Sequence, residues 1–322
     1  MNKFTAAIIG LGQVGQGYDY KNLDSSIQLT HATALKYHNE FDLIAAVDSS
    51  QHQRIRYSKK FSTPVFSNLD NLYSKYNPDV VVIAVSTSDH FDVFQEVLSH
   101  NPKAIILEKP LAESIGDAVQ MQKIACNYQT VVVVNYIRRF NPAIIKLKNL
   151  INEGAFGKIY KGTAWYTKGI AHNGSHFIDL FCWLFGNVEN VSVLSCKRNW
   201  SNKDPEPDIC LHFKHADIYM FSGHEEEFSI SCFNLIGENG MVYYEDGKAI
   251  EIRLANKDPL YDGYKVLQDV DNINNSSDIS IKYVYDNLAD SFSKDVPILS
   301  NITTSIYTLK VVREIIQQIK EK

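Results

Sequence analysis

The feature that most limits what this chain can fold into is a pair of uninterrupted apolar runs, Val-Val-Val-Ile-Ala-Val at residues 80–85 and four valines at 131–134. A strand with one wet face alternates apolar and polar side chains. A run that is apolar at every position belongs to a strand buried on both faces, which a parallel sheet between two helix layers provides. Further short apolar runs at residues 4–9, 43–47 and 104–107 alternate with stretches of helical spacing at 30–37, 68–75, 90–98 and 114–128. That rhythm predicts βαβ units, and so an α/β domain with a doubly wound parallel sheet over residues 1–136.

After Asn135 the pattern changes. A helix is expected over residues 142–152, with Pro142 in the first turn, where a missing N–H costs nothing. Strand-like segments then follow closely at 158–166, 188–198, 209–212, 218–221, 228–236 and 241–244, separated by turn residues such as Glu238-Asn239-Gly240 and Asp246-Gly247. This predicts an α+β domain over residues 137–322, built on a largely antiparallel or mixed open sheet. Residues 265–280, rich in Asn, Asp and Ser, read as a surface loop, and 301–320 as an amphipathic helix.

Composition removes several function classes. With 322 residues, 45% hydrophobic and 21% charged, the chain can bury two cores. Its net charge of −5 supplies no broad cationic field, so a nucleic-acid partner is not expected. Five cysteines without a CxxC pair point to reduced thiols and a cytoplasmic location. No apolar stretch approaches the roughly 20 residues of a membrane span, and Gly10 and Gly12 interrupt the N-terminal apolar run, so neither a signal peptide nor a membrane partner is expected.

The strongest local signal is Gly10-Leu11-Gly12-Gln13-Val14-Gly15, directly after the first strand. In a dinucleotide-binding turn the first glycine allows the sharp bend, the second lets backbone approach the pyrophosphate, and the third lets helix and strand pack closely; the helix N-terminus then faces the phosphates. A glycine-rich turn with no ligand is the alternative. The second strand ends at Asp48, followed by Ser49, where a carboxylate can accept hydrogen bonds from ribose hydroxyls and repel a 2′-phosphate, favouring NAD over NADP. Arg54 is the nearby cation that weighs the other way. Gly15 and Asp48 lie 33 residues apart, more than the usual ~20, and the excess is a loop over residues 17–28.

Glu108-Lys109-Pro110 closes the fifth strand, at the carboxyl edge where open α/β sheets bind ligands. Lys109 beside a positively charged nicotinamide is a usable proton donor and acceptor, with Glu108 orienting or balancing it; an exposed loop is the plain alternative. Together the GLGQVG turn, Asp48, VVVIAVST followed by His90, EKPLA, RRFNP and SHFIDL resemble the glucose-fructose oxidoreductase, inositol dehydrogenase and rhizopine catabolism (Gfo/Idh/MocA) family over residues 4–186. The resemblance implies that Lys109 is the catalytic lysine and His176 its partner in proton transfer. It also implies that Val85, Ser86, Thr87, His90, Glu108 and Asn135 border the cofactor.

Two departures from the family pattern stand out. Ser86-Thr87-Ser88-Asp89 replaces a Thr-Pro pair, and His172 stands where many relatives carry an aspartate four residues before the histidine. His172 is therefore a third candidate in the proton relay. His172, His176 and Asp179 also invite a metal reading, but Asn173-Gly174 is a poor helix interior and no metal is expected. Tyr166, Lys168 and Asn173 are placed to line the substrate side, with Lys168 and Arg138 or Arg139 able to pair with a diphosphate. Arg138 and Arg139 read equally well as hinge salt-bridge residues.

The expected function is an NAD-dependent oxidoreductase acting on a secondary hydroxyl or ketone of a sugar, and the resemblance to family members of surface-polysaccharide pathways implies a nucleotide sugar as substrate. A free polyol or inositol dehydrogenase, or a catalytically silent NAD-bound regulatory protein, are the alternatives. Residues 1–136 are expected to bind NAD. Residues 137–322 are expected to bind substrate and to form a homodimer or homotetramer.

Overall fold

The structure, a computed structural model, describes residues 3–22, 24–201 and 204–321. Met1, Asn2, Leu23, Asn202, Lys203 and Lys322, which the two expected domains include, lie outside the described residues. Contacts divide the chain into two compact units, Met1–Phe140 with Asp278–Ile306 and Asn141–Ser277 with Tyr307–Lys322. The sequence reading kept everything after residue 137 together, whereas residues 278–306 return to the first unit.

The first unit holds a parallel sheet of β1 (Phe4–Ile9), β2 (Phe41–Val47), β3 (Val65–Phe66), β4 (Val80–Ile83), β5 (Ala104–Leu107) and β6 (Val131–Val134). Their order is β3-β2-β1-β4-β5-β6, in which the chain reverses direction across the sheet between β1 and β4, the place where doubly wound sheets open a ligand crevice. β4 is enclosed at every position and β6 at all but the half-buried Val131, while Ala84 and Val85, which end the first valine-rich run, lie beyond β4 and are half-buried.

The interleaved helices are α1 (His31–Tyr37), α2 (Gln51–Lys60), α3 (Leu69–Tyr73), α4 (His90–Ser99) and α5 (Ile115–Ala125). Side chains of Thr30, Ser50, Asn68 and Ser114 cap α1, α2, α3 and α5 by accepting backbone N–H groups. The sequence pattern lacked α2 and β3. Tyr57 is the buried side chain of α2, so that helix carries almost no apolar stripe to be read.

In chain order the second unit contributes α6 (Pro142–Asn152), β7 (Ile159–Tyr166), α7 (Ser175–Phe185), β8 (Val188–Ser201), β9 (Asp204–Phe213), β10 (Asp217–Ser222), β11 (Cys232–Gly237), β12 (Gly240–Glu245), β13 (Ile250–Lys257) and β14 (Lys265–Ile273). Its eight-stranded sheet runs β14-β13-β12-β11-β7-β10-β9-β8, with β7 and β10 parallel and the other neighbours antiparallel. Residues 265–273, expected as loop, are a strand. Its side chains are mostly exposed, so its strand state comes from pairing with β13 and not from an apolar face. Ala143 and Leu147 of α6, Phe177 and Phe181 of α7, and Phe233 and Tyr244 of the sheet share one core.

α8 (Ser280–Lys294) belongs to the first unit, where Ile281, Val284, Tyr285 and Leu288 join Ala32, Leu35 and Phe41 in a second core. α9 (Ile302–Glu321) follows, and Val311, Val312 and Ile315 from its later turns pack in the core of the second unit.

The long insertion before α1 is tied down by a buried carboxylate. Asp19 accepts hydrogen bonds from Leu29 N–H (2.8 Å), Thr30 N–H (3.1 Å), the Thr30 hydroxyl (2.9 Å) and the Thr33 hydroxyl. Replacing Asp19 by Ala strands these donors away from water, so Asp19→Ala is expected to lower unfolding free energy by roughly 2–4 kcal/mol in urea titration. A loss near zero would show that the insertion is not held by this residue.

Candidate functional site

The glycine turn is built by steric exclusion. Gly10 has φ +95, and a Cβ there would strike the Ala84 carbonyl; a Cβ on Gly15 would strike the Gly10 carbonyl oxygen. Gly12 differs, because a Cβ there would meet nothing within 4 Å. The protein leaves space at the one glycine whose bareness would let a pyrophosphate approach, and that is the fit expected of a dinucleotide. The segment after the turn was expected to begin a regular helix, and instead Gln13–Gly17 make one π-helical turn, with Gln16 and Gly17 N–H both donating to Gly12 O.

Asp48 locks this turn to the second strand. One carboxylate oxygen accepts Leu11 N–H at 2.7 Å and the other accepts Ser50 N–H at 2.7 Å. The Arg54 guanidinium donates to the carbonyls of Asp48 (2.7 Å) and Ser49 (2.8 Å). A cavity of about 580 Å³ opens over the ends of β1, β2 and β4, lined by Gly10, Gly12, Asp48, Ser49, Val85 and Ser86 among others. Asp48, Asp70, Asp89 and Glu96 all contribute to its wall, and no Lys or Arg among the described residues does. Sequence reasoning found Asp48 but missed the other three acids, whose convergence depends on how α3, which carries Asp70, meets α4, which carries Glu96 and is preceded by Asp89. Gln13 is exposed, and Val14 and Thr87 are half-buried.

Glu108 and Asn135, expected at the cofactor, face inward. Glu108 is 8% exposed; its Oε1 accepts from His31 Nε2 at 2.9 Å and from Asn135 Nδ2 at 2.6 Å. The His31 Nδ1 atom lies 2.7 Å from the Tyr285 hydroxyl. Burial pushes the Glu108 carboxyl up, but the hydrogen bond from His31, the Asn135 amide and the Lys109 charge outweigh it and hold it below the usual carboxylate range. Lys109 itself is half-buried.

His90 is likewise enclosed and absent from the cavity lining. Its ring lies 3.0 Å from Pro110 O and 3.3 Å from Val85 O, joining the Lys109-Pro110 turn to the cavity wall, and burial lowers its proton affinity. Arg139 is buried and donates to Leu299 O at 3.3 Å, while Arg138 is half-buried.

In the second unit, Tyr166 is not available to a substrate: it is buried in the core and its hydroxyl donates to Pro207 O at 2.6 Å. The side chain points into the covered face of the sheet, a direction fixed by strand register. Lys168 has φ +68 and its ammonium pairs with Glu225 at 3.1 Å. Residues 169–174 form a π-helical turn pinned by two acids that sequence reasoning missed. Asp204 accepts the N–H groups of Ala171 and His172, each at 2.9 Å, and Glu206 accepts those of Lys168 (3.1 Å) and Gly169 (3.3 Å).

The His172 ring stacks on Trp200 with centroids 4.8 Å apart, and Asn173 beside it is half-buried. His176 lies buried in the first turn of α7, and Asp179 accepts the Thr308 hydroxyl at 3.1 Å. A different group, Cys210, His212 and Asp217, brings its donor atoms within 4.8 Å of one another. There the Lys161 ammonium already supplies a cation 3.2 Å from Asp217.

A parallel sheet of this strand order, a glycine turn with open space at its middle glycine and an acid at the end of β2 define a dinucleotide-binding α/β protein. Residues 4–136 match the sequence model of the oxidoreductase family with NAD-binding Rossmann fold, the Gfo/Idh/MocA group.

An uncharacterized oxidoreductase of Synechocystis sp. is 22% identical over 52% of this chain and 50% of its own length. Two further curated relatives are matched over 40% and 50% of theirs, so the chain spans about half the length of these relatives or less. Inositol 2-dehydrogenase of Salmonella typhimurium is 24% identical over 78% of this chain and 77% of that protein. The WlbA dehydrogenase of Bordetella pertussis, solved in complex with NADH and UDP-GlcNAcA, shares the fold with a TM-score of 0.75 at 19% identity, covering 99% of this chain and 96% of that one. Among the described residues no helix is long and apolar enough to cross a membrane.

Gly12 and Gly10 are expected to separate on substitution. Gly12→Ala keeps the thermal midpoint of the wild type while weakening NAD binding by about tenfold or more in titration calorimetry, because the added methyl enters the ligand's space and not the protein's. Gly10→Ala lowers the thermal midpoint itself.

Proposed function

We propose that this protein is an NAD-dependent dehydrogenase that moves hydride between the cofactor and a secondary hydroxyl or ketone of a sugar, with a nucleotide-linked sugar as substrate. The observation that carries the reading is the end of β5, where half-buried Lys109 follows the enclosed Glu108 and His90 ties their turn to the wall of the cofactor cavity. A bound nicotinamide dinucleotide supplies the hydride chemistry. Lys109 takes the proton from the substrate hydroxyl in oxidation and returns it in reduction, with His176 as its partner and His172 in the place of the acid many relatives have there.

NAD is preferred to NADP. The cavity wall carries Asp48, Asp70, Asp89 and Glu96 with no Lys or Arg among the described residues, a field that opposes an extra phosphate. The Arg54 guanidinium is already engaged by two backbone carbonyls. The nucleotide-sugar reading draws on the WlbA complex, and the inositol dehydrogenase relative supports a polyhydroxylated ring more generally. Lys168 and Arg138 are the proposed partners of the diphosphate, which would compete with Glu225 for Lys168. A homodimer or homotetramer is proposed to form over the open face of the second sheet, where Trp165 and Ile236 stand exposed.

The test is nicotinamide absorbance across a panel of nucleotide sugars and free polyols with both cofactors. Lys109→Ala is expected to lower kcat by roughly 10²–10⁴-fold, the usual worth of a general acid–base group; unchanged turnover on every active substrate would overturn the mechanism. Asp48→Gly is expected to narrow the NAD preference by about tenfold or more, read as the ratio of kcat/KM values. Loss of activity in Lys168→Ala confined to diphosphate-bearing substrates would support the nucleotide-sugar assignment; equal loss on free polyols would refute it.

A further inference from the structure

We propose that His31 and Tyr285, together with Asn135, are positioning residues that hold Glu108 as a fixed carboxylate next to Lys109, and so set the pH range in which Lys109 exchanges a proton. His31 enters from α1 and Tyr285 from α8, two elements separated by 254 residues in sequence at this contact, and both side chains are fully enclosed. An ionised carboxylate is acceptor-only, so the His31 Nε2 atom at 2.9 Å from Glu108 carries the proton and donates it. In the neutral ring Nδ1 then accepts from the Tyr285 hydroxyl at 2.7 Å. The ring cannot slip to its other tautomer without breaking both contacts. Asn135 completes the cradle, since its amide donates to the same carboxylate oxygen at 2.6 Å.

Core packing alone does not explain this arrangement. Burying a carboxylate costs several kcal/mol, and apolar side chains of similar volume would fill the space more cheaply. Breaches of that kind concentrate where chemistry is done. The groups that face Glu108 are His31 from α1, Asn135 after β6, Lys109 next in the chain, and His90 from α4, with Tyr285 of α8 acting through His31. Of these, Lys109 is the part-exposed one.

The sign follows from what opposes burial at Glu108. With the His31 donor in place the carboxylate stays charged, and its negative charge favours the Lys109 ammonium. Without the donor, burial wins and Glu108 takes up a proton. Lys109 then loses the neighbouring charge and deprotonates at lower pH.

The effect on turnover rests on the function proposed above; the effect on the lysine does not, so the two are read separately. In the apo protein, competitive acylation of Lys109 across the neutral-to-alkaline range, followed by mass spectrometry, reports its protonation midpoint. His31→Leu is expected to move that midpoint down by roughly one pH unit. Glu108→Gln should reproduce the shift, and adding His31→Leu to it should produce no more. His31→Gln, which keeps an N–H donor within reach of Glu108, should return the midpoint toward wild type. Tyr285→Phe, which retains the ring, should shift it in the same direction by less, and keeps the test decisive should His31→Leu fail to fold.

Labelling curves of Glu108→Gln and Tyr285→Phe that superimpose on the wild type would overturn the proposal. If the midpoints shift and the kcat/KM profile moves with them, both readings stand. If they shift while Lys109→Ala leaves turnover intact, the positioning chain stands and the dehydrogenase mechanism falls. If Lys109→Ala abolishes turnover but the midpoints coincide, the reverse holds.

Discussion

Each strand of a parallel sheet must be covered on both faces, and most of the first unit answers to that requirement. β4 and β5, enclosed at every position, are too apolar to stand at a surface. The helices that follow each strand do most of the covering, but α8 arrives from residues 280–294 to share the core of α1 and β2. Its arrival has a chemical consequence as well as a packing one. The helix brings Tyr285 against His31, so the element that helps close the core also closes the hydrogen-bond chain that ends on Glu108.

The carboxylates of this unit do two kinds of work, decided by what surrounds each. Asp19 and Glu108 are buried and surrounded by donors, so they fix backbone and side chains in place. Asp48, Asp70, Asp89 and Glu96 line a cavity and make its wall acidic. Asp48 belongs to both kinds, since it accepts the Leu11 and Ser50 N–H groups while still lining the cavity. In the second unit Asp204 and Glu206 hold the turn that carries His172, a task for charged acceptors because four consecutive or nearly consecutive N–H groups there point away from any helix ladder.

Most elements with a strong apolar period were read from the sequence, but α8 was not, although Ile281, Val284, Tyr285 and Leu288 keep a helical spacing. β1, β5 and α6 fall where their patterns place them. α2 buries little beyond Tyr57, β3 has two residues, and β14 is exposed along most of its length, so none leaves a periodic trace. The glycine turn, Asp48 and the Glu108-Lys109 pair were legible because their chemistry depends on residue type at short spacing. His31, Tyr285, Asp70 and Glu96 were not, since their roles depend on contacts between distant segments. Tyr166 was misread for a related reason: proximity in sequence to His172 says nothing about which face of β7 the ring occupies, and register turns it inward to Pro207.

The sequence by itself determined that a strand-helix alternation would build a parallel sheet, that a bare glycine would stand at the crevice, and that an acid and a lysine would close two of the strands. These follow from period and from local steric need, which neighbouring residues carry in full. Tertiary structure alone decided that residues 278–306 rejoin the first unit, that four acids share one cavity wall, and that Glu108 is shut away behind His31 and Asn135. The reason is range. A hydrogen bond or a charge acts over a few ångströms of space, and the segments that supply these partners are brought within that distance only when the cores close.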